Sequence, residues 1–359
     1  MAAWLYWDRT EEPIYNRGHT PLTHETNLGK IWLADREVEH MLAPNVDASL
    51  TNEEGEPVNY RSVPVGSAYF RDDGVQPPVF AVAVGDSFTF GHEMPLKDCW
   101  VEKTESLLKA DVVNLGVTNI FGSTQIQRTL ERHGLPLKPK LVIWAAFVND
   151  WYEDTLFHSW ELIAPPLKGQ IDFPRSRSVY DAMRRHIYKS PPTEPNGLAR
   201  EPPLDAIVVY TEGALKLTFD ATSYAAQNLD IPAISNGWAT SQTAMLRAAK
   251  AARDAGAEMI VMTIPAKESV YHSRAREVLA YAKVRPDDVF CATIESFCRE
   301  NNIRCLNLLP VLRPRADAGD QLYFGRDGHF NRLGNAVVAE ALVEFLKAEE
   351  LLPESAHGD

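Results

Sequence analysis

The chain has 359 residues, of which 45% are hydrophobic and 24% charged, a composition that excludes a disordered or fibrous protein. Its formal net charge of −13 argues against nucleic acid as a partner, because phosphate binding needs a basic surface. No stretch approaches the roughly 20 apolar residues that span a bilayer, and Met1–Trp7 is too short for a signal-peptide core. The chain as given is therefore expected to be soluble. Its compartment and oligomeric state stay open, and a trimmed N-terminal signal or anchor would make the protein extracytoplasmic.

The cysteines and glycines give no sign of a cofactor. The four cysteines are Cys99, Cys291, Cys298 and Cys305. They form no C-x-x-C pair and have no histidine partners at zinc-like spacing, so buried free thiols are expected, with a Cys298–Cys305 disulfide as the alternative. The sequence has neither a Gly-rich phosphate loop followed by lysine nor a G-x-S-x-G elbow, which disfavours nucleotide hydrolysis and the α/β-hydrolase fold. No metal and no organic cofactor are expected.

Strands and helices alternate from residue 80 onward. Predicted strands are Phe80–Val84, Val112–Leu115, Leu141–Phe147, Glu258–Ile264 and Ile303–Leu308. Predicted helices are Trp100–Lys109, Ser123–His133, Ser241–Ala255, Asp288–Asn301 and Leu333–Leu346. This alternation predicts an α/β fold, a three-layer α/β/α domain with a doubly wound, mostly parallel five-stranded sheet. In such sheets the ligand lies beyond the carboxyl ends of the strands.

Two regions fall outside this alternation. Residues 1–79 have weak periodicity and are expected to form an irregular N-terminal arm packed on the core, which leaves residues 80–359 as the main domain. Residues 151–240 contain several Pro-rich stretches and are too long for a simple connection. We expect an insertion there, beside the site and partly helical around Ser178–His186.

A serine follows the first predicted strand, in the segment GDSFTFG. Ser87 stands where the strand ends and the chain turns into a helix, so its hydroxyl is expected to face the crevice. It is a candidate nucleophile. The alternative is that Asp86 or Ser87 only caps the next helix.

The next two strands end in residues that can donate hydrogen bonds. Gly116 follows the second strand and has no Cβ to keep a ligand from its N–H, and Asn149 follows the third strand and carries an amide. Together with the N–H of Ser87 they predict a three-donor oxyanion hole. Each is also a common turn residue.

A candidate base stands near the C-terminus, in the segment RDGHFN. A serine hydroxyl needs a base to remove its proton, and the base needs an acid to fix its tautomer. His329 and Asp327 suit these two roles, with an ordinary Asp/Gly turn as the alternative. His92 and His272 compete for the role of base because either is able to reach the cleft.

Together these segments resemble the SGNH (GDSL-like) hydrolase superfamily, which is named after four conserved residues. The matching residues are Ser87 in GDSFTFG, Gly116 in NLG, Asn149 in VND and His329 in DGHFN. The resemblance covers about residues 80–150 and 258–346, and it implies a flavodoxin-like fold with Ser87, His329 and Asp327 as the catalytic triad. Residues Ile264–Tyr271 are more loosely similar to a stretch of the alginate O-acetyltransferase group.

The sequence departs from the superfamily pattern at three places. Asp327 and His329 are two residues apart where the usual spacing is D-x-x-H. Phe147 replaces a glycine of the third block, and Asn119 stands where this branch often has glycine. The spacing bears on the assignment of Asp327 as the acid, whereas the other two changes remove no chemical group that the mechanism uses.

The expected activity is that of a serine esterase. It would hydrolyse acyl esters, short and acetyl-type, on a carbohydrate or other polar alcohol, so the expected partner is a small-molecule or oligosaccharide ester. The alternatives are an O-acyltransferase that uses the same acyl-enzyme and a non-catalytic carbohydrate- or partner-binding module. Trp151, next to the third block, is a candidate substrate contact, with partly buried wall as its other interpretation.

Overall fold

A computed structural model describes residues 31–163, 207–220, 223, 226–281 and 288–353. Its strands are β1 (Trp32–Asp35), β2 (Glu39–Leu42), β3 (Asp47–Thr51), β4 (Pro57–Arg61), β5 (Val63–Val65), β6 (Ala68–Phe70), β7 (Ala81–Val84), β8 (Val112–Asn114), β9 (Leu141–Phe147), β10 (Ile207–Glu212), β11 (Leu215–Asp220), β12 (Glu258–Ile264) and β13 (Arg304–Asn307). Its helices are α1 (Ser87–Phe90), α2 (Trp100–Leu108), α3 (Ser123–Thr129), α4 (Asp150–Ile163), α5 (Pro232–Asp254), α6 (Lys267–Val270), α7 (Arg276–Tyr281), α8 (Val289–Glu300), α9 (Leu309–Ala318) and α10 (Arg332–Ala348).

Five of the strands form one parallel sheet in the order β13-β12-β9-β7-β8. This is the flavodoxin-like order, in which the chain winds first to one side of the first strand and then to the other. The predicted α/β fold is confirmed. The winding direction reverses at β7, between β8 and β9, so the crevice at the carboxyl ends of these strands is the place for a site.

Alternate residues of β7 belong to the two cores of the domain. Val82 and Val84 lie in the core shared with helices α3, α5 and α8, whereas Ala81 and Ala83 lie in the core shared with α2 and α10. This alternation follows from the two-residue period of a strand. The sheet is therefore covered on both faces, which explains why β7 and β9 are continuously apolar in sequence.

The segment expected to be an insertion is partly core structure. The helix predicted from Ser241 begins at Pro232, which suits the first turn because its missing N–H has no partner there in any case. Helix α4 packs along α5 through Trp151 and Trp238, so both ends of the 151–240 segment belong to a helical layer. Between them, β10 and β11 pair as a hairpin. The helix expected around Ser178–His186 lies outside the described residues.

The described part of the N-terminal arm is regular, so the expectation of an irregular arm is wrong for residues 31–70. These residues form three antiparallel hairpins, β1–β2, β3–β4 and β5–β6. The strands are three to five residues long, too short for the period of two to stand out in the sequence. The arm packs on the core as expected, for example where the rings of Tyr60 and Phe90 meet at 5.2 Å.

Two further expectations concern the described residues alone. None of their helices combines the length and apolar character that a membrane span requires. All four cysteines are free thiols, so the Cys298–Cys305 disulfide is not formed.

Candidate active site

Ser87 is the first residue of α1, directly after the end of β7. The Asp86 side chain caps this short helix, because its Oδ1 accepts a hydrogen bond from the Phe88 N–H at 3.0 Å. The turn is tight enough to require Gly85, since a Cβ there would lie 2.2 Å from Thr89 Oγ1. Asp86 therefore does the capping, and the partly exposed Ser87 keeps its hydroxyl at the crevice.

The Ser87, His329 and Asp327 side chains are joined by hydrogen bonds. Ser87 Oγ lies 2.7 Å from His329 Nε2, and His329 Nδ1 lies 2.5 Å from Asp327 Oδ1. The His329 main-chain N–H also donates to Asp327 Oδ1, at 2.7 Å. A tight turn therefore places the Asp327 carboxylate beside the His329 ring, although only one residue separates the two in sequence. Asp327 is buried, whereas Ser87 and His329 are partly exposed. The structure thus brings together the three residues that the sequence analysis places in a triad.

Buried carboxylates control the protonation of His329. Burial alone lowers its pKa, but the charge and hydrogen bond of Asp327, with the charges of Asp86 and Glu93, bring the pKa above the ordinary value of 6.5. Burial, and the like charge of Asp327, raise the pKa of Glu93 to about 8. An imidazole in this setting is a stronger base than a free histidine.

Two aromatic rings flank the His329 imidazole. The rings of Phe88 and His92 each lie 4.7 Å from it. His92, a competing candidate for the base, is therefore a neighbour of His329, while the hydrogen bond to Ser87 Oγ is made by His329. His272, the other candidate, lies in the turn after α6.

The Lys267 ammonium holds the turn that carries Asp327. Its Nζ is buried and lies 2.8–3.4 Å from four consecutive main-chain carbonyl oxygens, those of residues 324–327, which share its three N–H donors. Burial lowers the pKa of Lys267, and the charges of Glu268 and Asp327 oppose that shift. In the sequence, Lys267 is visible only as part of the loose resemblance to O-acetyltransferases, so its role was missed.

The Glu53 carboxylate holds the other side of the same turn. It accepts hydrogen bonds from the main-chain N–H groups of Gly325, Arg326 and Asp327. Glu53 lies between β3 and β4, in the region expected to be irregular. Nothing in the sequence signals this contact, because it joins residues more than 270 positions apart.

The N–H of Gly116, the predicted third oxyanion donor, is engaged within its own turn in this structure. Its only N–H donates to the side chain of Asn114, with 2.9 Å between N and Oδ1. Glycine is needed there for packing, since a Cβ would lie 2.2 Å from the Phe90 nitrogen in α1.

The turn that follows has positive φ angles at Asn119 (71°) and Ile120 (65°). The position where the family branch often has glycine thus has left-handed backbone, which asparagine tolerates and a β-branched residue rarely adopts.

The Asn149 amide lies beside two carboxylates. Its Nδ2 donates to Glu153 Oε1 at 2.9 Å, and it also lowers the pKa of Asp86, which burial raises. An amide nitrogen carries two hydrogens; one is used in the bond to Glu153, and an oxyanion would share the other with the Asp86 carboxylate, to which the Asn149 side chain also hydrogen-bonds. Glu153 Oε2 accepts from the Phe121 N–H at 2.8 Å. Glu153 therefore links the end of β9 to the turn after β8.

The prediction that Trp151 contacts substrate is wrong. Its side chain is fully buried, and its ring packs on Trp238 and Phe290 at 5.1 and 5.0 Å. Trp151 is instead part of the buried wall, as the alternative interpretation has it, because the face of α4 that carries Trp151 packs against α5 and α8. Phe147, in contrast, is partly exposed, and its ring packs at a tilt on that of Phe88, with 4.4 Å between the ring centroids, so the residue that replaces a glycine fills space next to Ser87.

One group of side chains at the site has the composition of a metal site. Donor atoms of His92, Asp327 and His329 lie within 4.8 Å of one another. Asp327 and His329 already bond to each other, and His329 bonds to Ser87. We therefore assign these two side chains to the triad.

Comparison with known proteins finds a family that the C-terminal part of the chain resembles. Residues 224–358 match the model of the SGNH hydrolase-like domain of the acetyltransferase AlgX. The resemblance to SGNH hydrolases is confirmed. The matched segment is less than half of the chain and contains Lys267, Asp327 and His329, whereas Ser87 and Asn149 lie before it. No curated protein matches the chain in sequence.

Solved structures of low sequence identity also resemble the chain. One is a G-D-S-L family lipolytic protein from Desulfitobacterium hafniense DCB-2, with 15% identity, a TM-score of 0.41, and coverage of 75% of this chain and 99% of the other. Another is a catalytic mutant of Axe2, an acetylxylan esterase from Geobacillus stearothermophilus, with 11% identity, a TM-score of 0.41, and coverage of 76% and 95%.

Proposed function

We propose that this protein is an enzyme that cleaves acyl esters and carries the acyl group on Ser87 as an acyl-enzyme. The observation that carries the proposal is the pair of contacts at His329, 2.7 Å to Ser87 Oγ and 2.5 Å to Asp327 Oδ1, at the carboxyl end of β7. The hydrogen bonds therefore connect a nucleophile, a base and a group that orients the base, as covalent catalysis at serine requires.

The first half of the reaction acylates the serine. His329 Nε2 takes the hydroxyl proton as Ser87 Oγ bonds to the ester carbonyl carbon, and Asp327 stabilises the imidazolium that forms. When the tetrahedral intermediate collapses, the ester C–O bond breaks and the same proton passes to the departing alkoxide. The product is an alcohol, with the acyl group on Ser87.

The second half removes the acyl group. For hydrolysis, His329 takes a proton from water, the resulting hydroxide attacks the acyl carbon, and the proton returns to Ser87 Oγ as the acid leaves. The N–H of Ser87, at the first position of α1 where no intrahelical partner exists, and the second hydrogen of the Asn149 amide are the donors that we assign to the oxyanion.

Transfer to a sugar hydroxyl is the second candidate function. It is supported by the match of residues 224–358 to the SGNH domain of the acetyltransferase AlgX. Both reactions use the same acyl-enzyme and differ only in whether water or an alcohol accepts the acyl group. We propose hydrolysis first, because Ser87 and His329 are exposed enough for water to reach them.

The acyl group is proposed to be short and the alcohol polar. Next to Ser87, the rings of Phe88 and Phe147 are in contact and Phe330 packs on Phe88 at 5.0 Å, which fills space that a long acyl chain would need. A small-molecule or oligosaccharide acetyl ester fits this description.

The test is to trap the intermediate and identify its acceptor. The protein is mixed with p-nitrophenyl acetate, quenched in acid and digested, and the peptide that contains Ser87 is expected to carry an acetyl group. A parallel reaction with oligosaccharide present is analysed for acetylated sugar. Absence of any acetylated peptide together with absence of p-nitrophenol release would refute the proposal, and acetylated sugar in preference to free acetate would favour transfer.

A further inference from the structure

Three carboxylates form a cluster on the side of the domain formed by α2 and the turn after β6. Asp73 lies in that turn, and Glu102 and Glu105 lie one helical turn apart on α2. One oxygen from each lies within 4.8 Å of the other two. The triad uses none of these residues, since Ser87 follows the carboxyl end of β7, whereas α2 leads into the start of β8.

Neighbouring carboxylates already serve the free edge of the sheet. β8 is the edge strand, and two of its outward N–H groups donate to acidic side chains, Val112 to Glu105 Oε2 at 2.9 Å and Asn114 to Asp72 Oδ2 at 2.7 Å. These bonds protect an edge that would otherwise be open to pairing. The bond from Val112 also fixes one oxygen of the Glu105 carboxylate in place.

Glu102 is the member of the cluster whose burial is not offset by hydrogen bonds to both carboxylate oxygens. It is only 8% exposed, and its buried Oε1 has no hydrogen-bond partner among the described residues. A buried carboxylate in that state is costly unless its charge is paired. Arg71, the buried cation whose charge acts on Glu102, gives its guanidinium hydrogen bonds to main-chain carbonyls such as that of Phe90.

We propose that Asp73, Glu102 and Glu105 bind a calcium-sized divalent cation. Calcium takes carboxylate oxygens at 2.3–2.6 Å in irregular geometry, which suits three carboxylates that come from a turn and a helix and whose donor oxygens lie within 4.8 Å of one another. Magnesium holds ligands at about 2.0–2.1 Å in a strict octahedron, which corresponds to about 4.2 Å between opposite oxygens. Asp73 is exposed and Glu105 half-buried, so an ion has a way in and water completes its shell.

The role of the ion would be to stabilise the domain. It would join α2, the turn after β6 and, through Glu105, the edge strand β8. Arg71, two residues before Asp73, holds the carbonyls of Phe90 and Gly91 at the end of α1. The cation site therefore contacts α1, the helix that begins with Ser87, only indirectly, through Arg71. Loss of the ion is expected to change the stability of the fold more than the rate of the chemical step.

The test compares thermal unfolding with and without the ion. The full chain is freed of metal with EDTA, desalted, and melted with CaCl2, MgCl2 or no addition. We expect calcium to raise the Tm by about 2–5 °C at saturation, because an ion that binds only the folded state stabilises it by mass action, and magnesium to raise it less. Glu102→Gln keeps the shape of the side chain, and this variant should fold, with a metal-free Tm at or above that of the wild type and no calcium response.

The matched control is Glu340→Gln, an exposed position on α10, which should keep the full calcium response. Isothermal titration with calcium should give one site in the wild type and in Glu340→Gln and none in Glu102→Gln. Two results would overturn the proposal: a wild type whose Tm does not respond to calcium, or a Glu102→Gln variant that responds as the wild type does. A larger response to magnesium than to calcium would overturn the assignment of the ion.

Discussion

Lys267 and Glu53 hold opposite sides of one turn. Lys267 Nζ donates to the Asp327 carbonyl at 2.8 Å, and a Glu53 oxygen accepts from the Asp327 N–H at 3.2 Å. A cation on the carbonyl side and an anion on the N–H side orient the peptide dipoles of residues 325–327. The turn that carries the triad acid is therefore fixed from a helix after β12 and from a hairpin of the N-terminal arm.

Lys267→Met should lower kcat by about 10- to 100-fold with little change in KM, because a misplaced Asp327 affects the chemical step and not substrate binding. Glu53→Gln should have a smaller effect in the same direction, since the amide oxygen still accepts hydrogen bonds. Steady-state kinetics on p-nitrophenyl acetate measure both. The control is Lys250→Met, an exposed lysine on α5. A purely structural role would instead lower the Tm at constant kcat per folded molecule.

Ser87→Ala should lower ester turnover by several orders of magnitude while the Tm stays near that of the wild type. Only the nucleophile is lost, and triad knockouts elsewhere retain about 10³–10⁴ of catalysis over water. Ser106→Ala, at an exposed position on α2, is the control. If Ser87→Ala keeps more than a tenth of wild-type activity, another residue is the nucleophile.

The pH dependence should show the raised pKa of His329. The base acts in its neutral form, so kcat/KM should rise with pH through an apparent pKa above 6.5. The Glu93 carboxyl, with a pKa of about 8, gains charge over the same range and should broaden the limb toward high pH. Glu93→Gln removes that charge, so the limb should become narrower and move toward acid. A limb at or below 6.5 in the wild type would contradict this electrostatic account.

Trp151→Phe should lower the Tm without changing KM, because the ring is fully buried between Trp238 and Phe290. Loss of large buried aromatic side chains costs about 3–5 kcal/mol when they are cut to alanine, and phenylalanine should cost less. Differential scanning fluorimetry and kinetics on an acetylated oligosaccharide measure the two quantities. A KM that rises at constant Tm would restore Trp151 as a substrate contact.

The sequence predicts well the parts of the molecule that depend on local pattern. Strands β9 and β12 have the predicted bounds, since seven residues that are all or mostly apolar allow few alternatives. The buried position of Trp151 and the packing role of Gly116 were missed for a different reason. A tryptophan beside a site and a glycine after a strand have the same appearance whether they face a ligand or a neighbouring helix, and only packing decides. Glu53 was beyond prediction because no sequence period connects a hairpin to a turn near the other end of the chain.

Asn149 provides the sharpest test of the oxyanion donors. Asn149→Ala should lower kcat by about 10²–10³ with little change in KM, as loss of one such donor does elsewhere. Asn149→Asp keeps the size of the side chain but has no N–H and brings a negative charge toward the oxyanion, so it should be at least as slow.

Glu153→Gln separates the positioning of the amide from the amide itself. Glu153 accepts hydrogen bonds from Asn149 Nδ2 and from the Phe121 N–H through its two oxygens. Glutamine has a single acceptor oxygen, so at this position it is able to keep only one of these two bonds. We therefore expect about a tenfold loss of kcat, smaller than that of Asn149→Ala, at constant KM. Comparing the double variant with the two single variants decides the matter: if Glu153 acts through Asn149, the double variant is no slower than Asn149→Ala alone. Losses that multiply would instead mean that Glu153 acts on the turn after β8, and that Asn149 is oriented without it.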